Sequence, residues 1–352
     1  MAIDEDSDGQ RLDNYLIRQL KGVPKTHIYR LIRSGQVRVN KARAAADTRL
    51  HSGDVVRIPP VRVAERSVSP SISTVPVAQF KVVFEDEVLL VIDKPAGVAV
   101  HGGSGVSFGV IEQLRRSRPD AKFLELIHRL DRETSGLLMI AKKRSALKHL
   151  QDQLRERETG KTYLALVSGR WPLNKKVLDK PLHKYLLGED EGSERRVKVV
   201  SKDDPNGMRA ITLVQVRART VQTTPTKAPK TAPKTTTAPS TKPNWAEQGF
   251  SLLEVTIKTG RTHQIRVHLA SEGCPIAGDD KYGDFELNKA LASLKADVST
   301  PAKTPLKRMF LHAWRLQFTH PLSAERMELH AQLPDELQHF LSYVLPSELR
   351  TP

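Results

Sequence analysis

The chain has 352 residues, with 56 Lys and Arg against 40 Asp and Glu and a formal charge of +16. That length allows one large domain plus a small one, and the basic surplus points to a polyanionic partner, RNA first, ahead of a membrane, for which no long apolar span is present. One cysteine, Cys274, excludes an internal disulfide and a Cys-rich zinc site and reads as a small buried apolar residue.

The acidic start, Met1 to Asp6, has no apolar signal-peptide core, which predicts a cytoplasmic protein. From Arg11, the apolar residues Leu12, Tyr15, Leu16 and Leu20 follow helical spacing up to the break at Gly22-Val23-Pro24. Thr26 is expected to cap a second helix with Ile28, Leu31 and Ile32 inward, ended by Ser34-Gly35. Val37 and Val39 alternate with polar residues as a half-buried strand, and Val55 to Ile58 return after the turn at Ser52-Gly53-Asp54. Between Gln10 and Pro60 eleven Lys and Arg face three Asp and Glu, a surplus of eight, which is half the charge of the whole chain. Arg11, Lys25, Arg30, Arg33, Arg38, Lys41 and Arg43 are the candidate phosphate contacts of this module. Pro-, Ser- and Val-rich sequence without periodicity then marks a linker over 61–79.

A second domain, 80–346, opens with strands at Phe80 to Phe84 and Val88 to Ile92 and a turn at Asp93 to Gly97. The glycine-rich His101 to Gly105 lacks the Gly-Lys-Ser/Thr ending of a nucleotide loop and reads as a loop facing an RNA backbone. Val106 to Arg116 is expected to be helical. Lys142 to Glu158 is expected to be an amphipathic helix with Leu147, Leu150 and Leu154 on one face. Strands follow at Tyr163 to Val167, Val197 to Val200 and Ile211 to Val216. Thr220 to Pro243 is low-complexity Thr, Pro, Lys and Ala, so 220–247 is a disordered insert looping out between paired strands, the second of them Phe250 to Ile257. Gln264, Arg266 and His268 alternate with Ile265, Val267 and Leu269, which predicts a strand. On that strand His263 and His268 point to opposite sides, which argues against a shared metal. Pro275 to Gly283 is a turn-rich loop, Phe310 to Ala313 and Leu316 to Phe318 are strands, and Asp335 to Tyr343 is a closing helix.

One stretch holds the chemistry: Ile127-His128-Arg129-Leu130-Asp131-Arg132-Glu133-Thr134-Ser135-Gly136-Leu137-Leu138. A lone carboxylate lies between two arginines, and a Thr-Ser-Gly turn opens into an apolar run, as in a loop feeding a buried strand. Taken by itself, that pattern also fits a surface loop whose Asp and Glu pair with neighbouring arginines.

HRLDRETSGLL resembles the active-site motif of the pseudouridine synthases, in the branch that modifies ribosomal and transfer RNA. Lys161-Thr162-Tyr163 with its apolar run, and Gly260 to Leu269 (GRTHQIRVHL), are similar to that family's further motifs and fall in the same order. The Lys/Pro/Thr-rich insert departs from the pattern. The resemblance implies an α/β (α+β) pseudouridine synthase fold, with a mixed, largely antiparallel sheet and flanking helices. The segment 10–60 resembles a small α/β RNA-binding domain of the S4 type.

The resemblance also implies isomerisation of uridine to pseudouridine in large-subunit (23S) ribosomal RNA or a precursor particle, by a monomer. The isomerisation has no redox change, and no small-molecule cofactor and no metal are expected. By the same resemblance Asp131 is the catalytic carboxylate, Arg266 its cationic partner and Tyr163 the aromatic at the target base. Arg129 fills the gap left by the flipped base, Arg132 holds phosphate or Glu133, and His128 orients the loop without acting as a base. The rival from another class is a non-catalytic RNA-binding assembly factor. A methyltransferase lacks its glycine-rich cofactor loop here, and a nucleobase deaminase lacks paired cysteines.

Overall fold

The computed structural model describes residues 1–4, 7–20, 23–61, 79–102, 108–187, 194–220, 249–294 and 304–345. Nearly all of the linker and of the Lys/Pro/Thr-rich insert, and most of the glycine-rich loop after His101, lie outside those residues.

In the first part, α1 (Leu12–Gln19) and α2 (Lys25–Arg33) pack on β1 (Arg38–Val39), β2 (Ala42–Arg43) and β3 (Val56–Arg57). Leu12, Leu16, Ile28, Val37, Leu50 and Val56 close a core of their own. The expected Thr26 cap is corrected: Pro24 precedes the first helical residue, Lys25, and proline's fixed φ suits a helix start without any side-chain cap. The expected simple hairpin is a three-stranded sheet in the order β2-β1-β3. Asn40 and Lys41 both take positive φ, 49° and 68°, and form a tight two-residue turn whose strand β2 is too short to show periodicity.

The second part is built on a ten-stranded sheet. Its path is β4 (Lys81–Glu85), β5 (Leu89–Lys94), β7 (Ser135–Ala141), β14 (Leu311–Thr319), β8 (Gly160–Ser168), β13 (Phe250–Ile257), β12 (Ile211–Arg219) and β9 (Val177–Asp179). Strands β6 (Glu125–Leu126) and β15 (Arg326–His330) pair β7 and β14, and β10 (Leu182–Leu187) pairs β11 (Glu194–Val199) separately. Every pairing is antiparallel except β7 with β14. Strands β12 and β13 pair across the insert, which therefore leaves from adjacent strands.

Every residue of β7 is buried. Leu138 and Ile140 enter one core with α3 (Val110–Ser117), α6 (Phe285–Ala292) and α7 (Asp335–Val344), while Leu137 and Met139 enter another with α4 (Arg144–Glu156). Each such side chain contributes about 1.5–3 kcal/mol on burial, so β7 is a rigid floor for the loop that precedes it.

Three further expectations are corrected. Ser135 and Gly136 begin β7, and the turn lies earlier, at Arg132 and Glu133. Gly136, at φ 108°, is needed because a Cβ there would collide with the Ala313 carbonyl of β14. The helix expected from Val106 starts at Val110. Most consequential, the strand expected through Arg266 is a short helix, α5 (Gln264–Ala270). All of Gln264 to Leu269 is buried, so no polar face exists. The alternation arose from buried polar side chains that have partners within the fold.

Candidate active site

The segment from Ile127 to Thr134 runs along the β7 edge between β6 and β14. Ile127 N donates to Met139 O at 3.1 Å. The Met139 amide donates to His128 Nε2 at 3.2 Å. Burial and the neighbouring Lys161 charge push His128 down to about 3, so it is a neutral acceptor pinning the loop. Ile127 and Leu130 are buried on either side of His128 and Arg129, which leaves Asp131 at the mouth with a side chain 23% exposed.

A buried lysine fastens the far end. Lys94 Nζ donates to the carbonyls of Pro95 at 2.7 Å, Val98 at 2.9 Å and Arg132 at 3.1 Å. Gly97 N also donates to Arg132 O, and Arg132 Nε returns a bond to Gly97 O at 3.0 Å. Burial, with Arg308's charge added, pulls Lys94 down to about 7.

Arg266 arrives from α5. Its Nε and Nη2 form a fork on Asp279 at 2.7 and 2.6 Å, Nη2 also meets Asp280 at 3.1 Å, and Nη1 lies 3.8 Å from Asp131 Oδ2. The Arg266 and Asp279 side chains are 4% and 1% exposed. Burial opposes both charges, but their mutual hydrogen bonds and attraction outweigh it: Arg266 is raised and Asp279 lowered. The guanidinium is therefore held by one edge and offers the other to Asp131. Gln264 locks the helix start, accepting from Arg261 N at 3.1 Å and donating to Ile211 O at 3.0 Å. His268 bonds Thr212 Oγ1 at 2.8 Å and the Lys180 carbonyl at 2.9 Å.

Tyr163 stands on β8 in register with Val255 of β13 and Ala313 of β14. Burial first, then the Asp131 charge, raise its pKa, so it is a neutral phenol. Asp131, Tyr163, Arg266 and Arg129 line one cavity of about 440 Å³, together with Lys161, Ile257, His263 and Leu311. A second cavity of about 410 Å³ shares Arg129, Leu130, Asp131, His263 and Arg266 and adds His101, Arg132, Glu133 and Lys281. Asp131 thus stands where a chamber of mixed polar and apolar lining meets a more strongly polar one. Among the described residues, no cluster of three or more His, Cys, Asp or Glu has the arrangement to hold a metal ion.

The expected site residues are not all brought together. Arg132 pairs Glu133 at 3.4 Å and lines the second cavity only. Arg11 is spent on Asp13, at 3.1 and 2.7 Å. Lys25, Arg30 and Arg33 lie exposed on α2. Arg38 sits between Arg43 and Arg57 in register across the small sheet, and Arg38 and Lys41 line a groove with Arg57. Arg57, Asp279 and Lys94 had not been singled out, and Lys161 and His263 had been named without a role in the site. Asp279 and Lys94 fall in stretches that read as turns in the sequence, where a carboxylate or ammonium normally reads as solvated surface, although Lys94 closes β5, and only their burial reveals them.

With this geometry in view, residues 88–271 match the RNA pseudouridylate synthase family and residues 10–56 match the S4 domain. The chain is 46% identical, over 97% of its length and 95% of the relative's, to a Salmonella typhi protein named ribosomal large subunit pseudouridine synthase C. It is 43% identical, over 99% of its length and 95% of the relative's, to the Haemophilus influenzae protein of that name. Among solved structures, human RNA pseudouridylate synthase domain containing 4 superposes with a TM-score of 0.52 at 27% identity, covering 75% of this chain and 92% of its own. Human RNA pseudouridylate synthase domain containing 1, at 22% identity and a TM-score of 0.51, covers 81% of this chain and 91% of its own and shares the fold.

Proposed function

The chain belongs to the RNA pseudouridylate synthase family, and from that membership we propose that it isomerises uridines of large-subunit (23S) ribosomal RNA to pseudouridine with Asp131 as the catalytic carboxylate. The substrate follows from the names of relatives that match it over nearly its whole length. The observation that carries the residue assignment is the Arg266 side chain, held on one edge by Asp279 and offering Nη1 to Asp131 at 3.8 Å.

The reaction breaks the N1–C1′ bond of uridine, turns the base, joins C5 to C1′, and moves one proton from C5 to N1. An ionised carboxylate is needed at the nucleoside, and Arg266 Nη1 faces Asp131 Oδ2 at 3.8 Å. The ring of Tyr163 covers the uracil, and its neutral hydroxyl is available for a hydrogen bond. A stacked base must leave its helix, at about a few kcal/mol. Arg129, exposed where both cavities meet, takes the vacated place.

Residues 10–60 hold the RNA through phosphates, and the catalytic domain spans 80–346. Asp131, Tyr163 and Arg266 come from one chain, so a monomer suffices, and an isomerisation without redox change calls for no cofactor. No described helix is long and apolar enough to cross a membrane, and the protein works in the cytoplasm, where ribosomal RNA is made.

Incubating the protein with unmodified large-subunit RNA and mapping pseudouridine at single-nucleotide resolution tests the reading. New pseudouridines at discrete positions are expected. Tight RNA binding without product would instead identify an assembly factor.

A further inference from the structure

His263 is a residue of the site that the reaction, as described, leaves unused. It lines both cavities that meet at Asp131. Its backbone is left-handed, at φ 51° and ψ 21°, a conformation that a histidine adopts only when its surroundings enforce it. The ring stands edge-on to Tyr282, with centroids 5.6 Å apart, and its Nδ1 lies 2.9 Å from the Tyr282 hydroxyl. Tyr282 is itself fixed three ways. Its amide donates to Asp279 Oδ1 at 3.0 Å, its ring lies 5.2 Å from the Arg266 guanidinium carbon, and its hydroxyl accepts from Val197 N at 3.0 Å.

The proton positions follow from this arrangement. The phenol oxygen already accepts one N–H, and among the described residues its own proton has one acceptor in reach, His263 Nδ1. Nδ1 is then the acceptor, and the imidazole proton sits on Nε2, the nitrogen that makes no bond among the described residues. Burial lowers the pKa of this imidazole, with the Asp131 charge opposing, and so keeps the neutral form. The same tyrosine that packs on Arg266 thereby sets the tautomer of His263.

We propose that His263 presents its Nε2–H to a carbonyl oxygen of the uracil ring and reads the target base. This rests on the pseudouridine synthase reading of the site. A fixed donor next to the carboxylate matches uracil O2 or O4. Directed at O4, it also rejects cytosine, which carries an amino donor there. Tyr282 acts as a positioning residue through His263.

The test pairs a change in the protein with a change of one substrate atom. RNA fragments carry uridine, 2-thiouridine or 4-thiouridine at a target position mapped beforehand, since sulfur is a weak acceptor. For wild type, the thio substitution at the oxygen His263 contacts should lower kcat/KM about tenfold, the usual worth of one hydrogen bond. His263→Ala should lose about tenfold on uridine and show no further loss with that thio substrate. His263→Gln, which restores an N–H at similar reach, should recover part of the loss and part of the thio sensitivity. Loss of coupling with 2-thiouridine assigns O2, and with 4-thiouridine O4. If His263→Ala misfolds by circular dichroism, Tyr282→Phe, which leaves the strained backbone alone, should shrink the same coupling. Full thio penalties persisting in both variants overturn the assignment. A wild-type enzyme that makes no pseudouridine in the uridine fragment overturns the activity itself, a different failure.

Discussion

Replacing Asp279 by Asn removes one charge from the pair that aims Arg266 and leaves its shape. Breaking a buried ion pair from one side costs about 3–5 kcal/mol. Asn retains an oxygen for the amides of Lys281 and Tyr282, which bond Asp279 Oδ1 at 2.9 and 3.0 Å, so about 3 kcal/mol is expected. For a domain of this size that is a fall in Tm of about 6–12 °C.

The effect on rate is separate. Opposite charges at the 3.8 Å between Arg266 Nη1 and Asp131 Oδ2 attract by about 4 kcal/mol near a protein surface. Solvent reaches the Asp131 side chain, which is 23% exposed, and screens part of this. A guanidinium no longer held in place should forfeit about 2 kcal/mol, or about 30-fold in kcat.

The stability cost should also depend on pH. Burial alone would raise the Asp279 pKa, but the Arg266 hydrogen bonds and charge outweigh it and hold it low. A depressed native pKa gives stability that is fully present above the unfolded value, about 4, and is lost as pH falls through the native value. The wild-type advantage over Asp279→Asn should therefore shrink below about pH 4. Urea melts from pH 3 to 8 and single-turnover kinetics measure both effects. A variant melting within 2 °C of wild type with unchanged kcat would show that Arg266 needs no anchor.

Asp131→Asn should keep the fold and RNA affinity and lose turnover, and near-wild-type turnover would show that the carboxylate has been misassigned. Deleting residues 10–60 should weaken RNA binding and flatten its dependence on salt more than it slows the chemical step, so binding isotherms across salt concentrations with an unchanged slope would refute the module's role. Lys94→Met removes the donor shared by three carbonyls, of which Arg132 O keeps the Gly97 amide, and should destabilise the protein by about 1–3 kcal/mol. Because the native pKa of Lys94 is lowered to about 7, below the unfolded value of about 10.4, the folded state binds fewer protons between those values and gains stability as pH rises. Melts from pH 7 to 10 should show a shallower rise in Lys94→Met, and an identical rise in both proteins would mean Lys94 does not titrate there.

The division between what was legible early and what was not follows from range. Residues 10–60 declared themselves by charge density and helical spacing, which are local properties. The role expected of Asp131 came from the resemblance of its motif, since by pattern alone a surface loop fitted as well; what the residues themselves showed was a loop ahead of a long apolar run, and β7 is buried throughout. The same reasoning failed at Arg266. Alternation signals a strand only when one face meets water, and here Gln264, Arg266 and His268 are buried among partners on β12 and the Asp279 loop. Residue order alone could not bring Asp279, thirteen positions beyond Arg266, to its guanidinium, or set Tyr282 against His263. Residue types and their spacing determined which groups were available for chemistry. The packing of α5 and its following loop against the sheet decided which of them meet, because burial makes charges pair and fixes a tautomer, and burial exists only once the chain has closed on itself.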